Sequence, residues 1–278
     1  MEPPGASLRA LYDEWAPNYP PEAHNPLMRI EQAAMLRLLP PVRGLRALDL
    51  ACGTGRYSRI LTDRGAASIT ALDFSWRMLA GLRSQPVSLR PVRAPLKSIW
   101  LLRRRATTNE NSLLPGGEGA GMRESSLTQT SLVAHSAPRA ARLCASMLDL
   151  PLRAATFDLV ISGLAVGHAA DLHRWLSEAA RVLRPGGALL YSDFHPFAKQ
   201  AGWQRTFRAA DGGTRSLPFH AHEPAAHVDA AAALGLRIAA LEELRVGVEL
   251  TESFPGSRDF YRRWRGKPII LVALLHKP

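Results

Sequence analysis

This sequence predicts an α/β fold with a ligand site at one edge of its sheet, and three observations predict it. Short apolar runs at residues 45–50, 68–72, 158–162 and 188–192 read as buried strands. Segments with apolar residues three and four apart read as amphipathic helices between them. The first run closes in Leu48-Asp-Leu-Ala-Cys-Gly-Thr-Gly55, a glycine turn leading from strand to helix.

Each element has its own signal. Residues 31–39 form an amphipathic helix ended by Pro40-Pro41. After the glycine turn, residues 57–61 open a helix. The second strand, 68–72, ends in Asp73, and a helix over 76–83 follows with Trp76, Leu79 and Ala80 on its inner face and Asp73 as its N-cap. Cys144 lies on a strand. Asp171 caps a helix whose inner face is Leu172, Trp175, Leu176, Ala179, Val182 and Leu183, stopped by Pro185-Gly186-Gly187. Beyond the strand at 188–192, residues 203–207 and 214–222 flank an Asp211-Gly-Gly turn and read as a β-hairpin. Residues 236–248 and 268–276 supply a closing antiparallel pair.

The glycine turn distinguishes two ligands. A dinucleotide loop carries a third glycine where this chain has Ser58, and its pyrophosphate is repelled by an acid at the strand end. Asp49 stands there. An acid in that place suits the positive aminoacyl end of S-adenosyl-L-methionine. Gly53 and Gly55 let the backbone approach the ligand, and the helix N-terminus faces it. Asp73 is placed to take ribose hydroxyls, with Phe74 and Met78 over the adenine.

Leu48-Asp-Leu-Ala-Cys-Gly-Thr-Gly, Ala71-Leu-Asp-Phe-Ser, Met147-Leu-Asp-Leu-Pro, Phe157-Asp-Leu-Val-Ile-Ser and Ala180-Arg-Val-Leu-Arg-Pro-Gly-Gly together resemble the class I S-adenosylmethionine-dependent methyltransferases. The nearest subgroup is the small-molecule type that includes ubiquinone, menaquinone and malonyl-carrier-protein methyltransferases. The resemblance implies a doubly wound, Rossmann-like seven-stranded sheet with the last strand antiparallel and helices on both faces. It implies cofactor contacts at Asp49, Ala51, Gly53, Gly55 and Asp73, and Ser162, closing the fourth strand, is a further cofactor-binding candidate. Ala51 stands where the family has glycine, which requires negative φ at this residue. Ser146 replaces the adenine-side acid, leaving more of the recognition to the N–H of Met147. Leu11-Tyr-Asp-Glu-Trp-Ala-Pro-Asn-Tyr19 resembles the family's N-terminal opening, a helix folded over the cofactor, with Tyr12, Trp15 and Tyr19 as aromatic cover.

Residues 1–44 then form an N-terminal helical cover, and 45–278 the methyltransferase domain. Residues 86–140 interrupt the family pattern with a proline-, glycine- and serine-rich stretch lacking helical or strand period, expected to be a disordered surface insertion. Residues 194–222 carry the hairpin, expected to lie over the substrate.

Composition narrows the partners. The net charge is +11 among 278 residues, and the interruption holds eight Lys/Arg against three Glu. No basic helix interleaved with aromatics appears, and Ser162-Gly-Leu-Ala-Val-Gly-His168 lacks the Pro-Pro-aromatic grip of DNA base methyltransferases, which disfavours a nucleic-acid acceptor. No run of eighteen apolar residues and no signal sequence occur, and two cysteines fit a reducing cytoplasm. His168 and His195 follow the fourth and fifth strands and are the candidate catalytic bases, His195 favoured because Pro196 keeps its ring on the ligand side. His220 and His222 alternate on the hairpin, so one faces inward. No metal site is expected. The pocket would be lined by Leu164, Phe194, Phe197, Trp203, Phe207 and Phe219, with Arg205 or Arg208 as ion-pair partners. The expected activity is methyl transfer, at oxygen, to a small-molecule or acyl-carrier-bound acceptor. The alternative is a non-catalytic S-adenosylmethionine-binding protein.

Overall fold

In a computed structural model, residues 4–82, 140–250 and 257–278 are described. In chain order the elements are α1 (Pro4–Trp15), a 3-10 turn (Ala16–Asn18), α2 (Pro26–Leu38), β1 (Arg46–Leu50), α3 (Arg56–Asp63), β2 (Ser68–Asp73) and α4 (Trp76–Ala80). There follow β3 (Ala141–Cys144), β4 (Phe157–Gly163), α5 (Leu172–Val182), β5 (Leu183–Phe194), α6 (Pro196–Gln200), β6 (Arg205–Arg208) and β7 (Thr214–Leu217). The chain closes with α7 (Pro224–Ala233), β8 (Arg237–Arg245), α8 (Ser257–Trp264) and β9 (Pro268–His276). The interruption at 86–140 falls outside the described residues except for Ala140.

Seven strands form one sheet in the order β3-β2-β1-β4-β5-β9-β8. The first five pair in parallel, and β9 runs antiparallel to both β5 and β8. Chain order reverses between β1 and β4. Parallel neighbours diverge there, and their carboxyl ends open the crevice in which doubly wound sheets take ligands.

Two apolar layers hold the sheet. On one face α5 lays Trp175, Leu176 and Ala179 on Val160, Leu189 and Tyr191, with α7 beside it. On the other, Met28 and Met35 of α2 and Tyr57 and Leu61 of α3 pack on Leu159, Ile161, Leu190 and Ile270. The inner strands β1, β2, β4, β5 and β9 are buried on both faces, so they read as continuous apolar runs, whereas the edge strands β3 and β8 are exposed or half-buried. A third cluster sits above the sheet edge, where Leu8 of α1 packs with Phe207 and Leu217 of the β6–β7 hairpin.

Several boundaries differ from expectation. Helix α2 starts five residues earlier than the apolar pattern suggests, because Asn25 Oδ1 accepts from Met28 N (2.9 Å) and Pro26 fits the first turn. Helix α4 is short and exposes Trp76. Its cap is Ser75, whose Oγ accepts from Met78 N at 3.1 Å, leaving Asp73 for other work. Pro185-Gly-Gly lies inside β5, since the helix already stops at Val182. The hairpin ends at Leu217, so His220 and His222 stand in the following loop and do not alternate across a strand.

Candidate functional site at the carboxyl ends of the strands

A cavity of about 390 Å³ lies over the ends of β1, β2 and β4. Its floor includes Asp49, Ala51, Gly53, Asp73 and Phe74, its side Ser146 and Met147, and its far wall Leu164, His168 and Phe194. Tyr12, Trp15 and Tyr19 close it from the N-terminal side, and Trp203, Arg205 and Phe219 from the hairpin side.

The two floor carboxylates are built into the backbone. Asp49 Oδ2 accepts from Ser58 N (2.7 Å) and Ser58 Oγ (2.6 Å), which ties the end of β1 to the first turn of α3. Asp73 Oδ2 accepts from Gly53 N (2.8 Å) and Oδ1 from Ser75 N (2.9 Å), which fixes the glycine turn against β2. Burial pushes both carboxyls up to about 6, against the pull of those hydrogen bonds. A cation in the cavity would relieve that strain on Asp49, and hydroxyl donors would relieve it on Asp73. The donor set therefore fits S-adenosylmethionine, whose aminoacyl end is positive and whose ribose donates.

The turn corrects two expectations. Ala51 adopts φ +57°, so its backbone is left-handed and not at negative φ. Its small side chain bears a conformation that costs a non-glycine residue about 1–2 kcal/mol. Gly55, at φ +83°, does not line the cavity. A Cβ there would lie 1.7 Å from Leu82 Cδ1, so its glycine serves packing beneath the loop. Gly53, at φ +55°, is the glycine on the ligand side: a Cβ would meet only Tyr19 Cε1, at 3.9 Å.

Three further residues stand elsewhere than expected. Met78 is fully buried on the inner face of α4 and does not line the cavity, so it covers no ligand face there. Ser162 shares the register of Tyr191 and faces the α5 layer, buried and without a hydrogen-bond partner for Oγ among the described residues. His195 turns away from the cavity. Its Nδ1 accepts from Phe197 N (3.1 Å) as the cap of α6, and Nε2 lies 3.3 Å from Glu243 Oε1. Pro196 starts that helical turn, and the cap draws the ring down to it. Phe197, Phe207 and Arg208 likewise lie outside the lining, whereas Leu164, Phe194, Trp203, Phe219 and Arg205 belong to it.

His168 does reach the cavity, and its tautomer follows from its partners. Nδ1 lies 3.1 Å from the carbonyl of Pro218, which can only accept, so Nδ1 carries the proton. Nε2 then accepts from the Tyr12 hydroxyl at 2.8 Å. Burial holds this imidazole well below its ordinary pKa, so it stays neutral, and burial pushes the Tyr12 phenol up, so it stays protonated. One ring thus joins α1, the turn after β4 and the loop after β7.

Arg205 supplies the positive charge at this end. Its Nη2 donates to Leu164 O (2.9 Å), its guanidinium lies 4.7 Å from the Phe194 ring centroid, and Nη1 is buried without a partner among the described residues. Its charge is felt by Tyr12, Tyr19, His168 and Asp193. Asp193, buried at the end of β5, is pushed up to about 7 by desolvation despite Arg205.

A second network escaped the sequence reading. Glu31 of α2 is wholly buried and accepts from Tyr57 Oη (2.7 Å), Ser192 Oγ (2.6 Å) and Arg56 Nη1 (2.7 Å). Arg56 lines the cavity beside the glycine turn. The available signal was an acid at a core position of an amphipathic helix. Its partners lie 25 to 161 residues away in the chain.

Two family models, each described as a methyltransferase domain, match residues 47–101 and 123–191. A malonyl-[acyl-carrier protein] O-methyltransferase of Enterobacter lignolyticus is 30% identical over 186 residues, 67% of this chain and 53% of that protein. The chain spans about half the length of the curated relatives it matches. An S-adenosylmethionine dependent methyltransferase from Mesorhizobium loti shares the fold with a TM-score of 0.58 at 20% identity, over 89% of this chain and 97% of that one. The DhpI–SAM–HEP complex shares it with a TM-score of 0.56 at 19% identity, over 99% and 100%. The chain carries a class I S-adenosylmethionine-dependent methyltransferase domain. S-adenosyl-L-methionine is the cofactor of that domain.

Proposed function

We propose that this protein transfers a methyl group from S-adenosylmethionine to a carboxylate oxygen of a small-molecule or carrier-bound acceptor. One observation carries the reading: a single cavity joins Asp49 and Asp73 to the half-buried Arg205, whose Nη1 is itself buried. One end suits a cationic cofactor with ribose hydroxyls, and the other suits an anion. The malonyl-carrier names of the relatives support an acceptor of that class.

When bound, the cofactor supplies an electrophilic methyl carbon on a sulfonium. The methyl would pass to the acceptor oxygen as its bond to sulfur breaks, with S-adenosylhomocysteine as the leaving group. The chain's own residues position and desolvate. Asp73 receives the ribose hydroxyls, while Asp49 faces the aminoacyl end. Phe74, Ser146 and Met147 border the adenine. Arg205 holds the acceptor carboxylate so that one oxygen lies in line with the methyl. An ionised carboxylate surrenders no proton, so no general base is required. His168 then serves by holding Tyr12, and Tyr12 with Tyr19 and Trp15 excludes water.

The test is release of S-adenosylhomocysteine with malonyl carrier protein, with its carrier-free thioester, and with phenolic acceptors. Turnover of the carboxylates, with KM raised tenfold or more in Arg205→Gln, supports the reading. Turnover of phenols alone, unaffected by Arg205→Gln, contradicts it. Binding of the cofactor with no turnover of any acceptor favours the non-catalytic alternative.

A further inference from the structure

Helix α8 is two-faced. Arg258 and Arg262 are four residues apart and Arg265 three further on, so the three cations follow one stripe. Arg265 N still bonds Tyr261 O at 2.8 Å, which carries the helical turn to that residue. All three are exposed, as are Arg263 and Lys267. Between residues 258 and 267 the only acid is Asp259, paired with Arg262. On the other side, Phe260 and Trp264 pack on Trp203, with ring centroids at 5.1 and 5.5 Å. Trp203 is itself a wall of the cavity. A shallow groove lined by Val248, Arg258, Tyr261 and Arg262 runs along the cationic face.

We propose that the outer face of α8 docks an acidic carrier protein that delivers the methyl acceptor to the cavity on a tether. This rests on the reading of the cavity given above. Nucleic acid and membrane fit less well. The aromatic rings of Phe260 and Trp264 are turned onto Trp203, and among the described residues the outer side adds only Tyr261 and Val248, too little apolar surface to stack successive bases or to anchor in lipid. Charge is what the outer stripe offers, and an acidic protein surface complements it. Such rim charges act on encounter and depend on salt.

The experiment measures methyl transfer by the full chain to malonyl-loaded acyl carrier protein and to the malonyl thioester of N-acetylcysteamine. The wild type is compared with R258E/R262E/R265E. KM for the carrier-bound acceptor should rise about tenfold or more and lose its salt dependence. Both kcat and KM for the free thioester should hold. The triple Arg→Gln variant should lie between. An unchanged KM for the carrier, or equal losses on both acceptors, overturns the proposal. If the wild type methylates neither acceptor, the cavity reading fails, and anisotropy of fluorescent malonyl carrier still decides the surface. Binding lost in the Glu variant supports docking, and equal binding refutes it. Tighter binding of a DNA duplex, or of phosphatidylglycerol vesicles, than of the carrier also overturns it.

Discussion

Ala51 is the residue at which the cofactor turn strains the backbone. It holds a left-handed conformation in the turn that must approach the ligand. Ala51→Gly should raise stability by about 0.5–1 kcal/mol in urea unfolding, since the relieved strain exceeds the added freedom of the unfolded chain. Asp73→Ala removes both the ribose acceptor and the bond to Gly53 N. It should weaken binding of S-adenosylhomocysteine by about 1.5–3 kcal/mol in calorimetry. Arg205→Gln should raise KM for a carboxylate acceptor tenfold or more, in keeping with a lost charged hydrogen bond of about 1.5–3 kcal/mol. The floor acids were legible in the sequence because each closes a strand before a turn. The ring of His195 was not legible: a residue's position fixes its backbone, whereas its side chain follows the nearest unsatisfied N–H, here that of Phe197.

At the scale of elements, the cover over the cavity is two pieces held together above the sheet. Trp15 of α1 stacks on Phe207 of β6 with centroids 4.8 Å apart, Arg215 pairs with Glu14 at 3.1 Å, and His168 bonds to both Tyr12 and the loop after β7. Tyr12→Phe should therefore quicken cofactor dissociation several-fold in stopped flow while leaving global stability within about 1 kcal/mol. An unchanged off-rate would mean that α1 is not part of the closure. Strands and helices of the parallel core were readable because burial on both faces writes continuous apolar runs. The cover was less so. Its strands are four residues each, too short for a period to register, and the histidines beyond β7 were drawn into the hairpin by their spacing alone.

For the whole molecule, the interruption at 86–140 remains our proposal of a dispensable surface insertion. Leu82 and Ala140 both pack with Cys52, Ala71 and Leu79, so the flanking ends meet in one cluster. Joining residue 85 to 141 through a short linker should leave the cooperative unfolding transition in place, and loss of that transition would assign the stretch a structural role. Charge also acts globally. The folded pKa of Asp49 and Asp73 is about 6, above the ordinary carboxyl value of 3.8. The ligand-free fold thus holds these protons more tightly than the unfolded chain, and their contribution to stability is lost as pH rises through about 6. A cationic cofactor reverses the balance by favouring the ionised forms. His168 is held well below its ordinary pKa by burial, so an acid limb is expected from the buried carboxyls Asp49, Asp73 and Asp193. Calorimetric titration of the full chain with S-adenosylmethionine at pH 7.5 and at pH 5 tests the cofactor site most directly. One site is expected, with an affinity that falls at the lower pH and a large loss in Asp73→Ala. Absence of binding at both pH values, or an affinity indifferent to both pH and Asp73, would contradict that site.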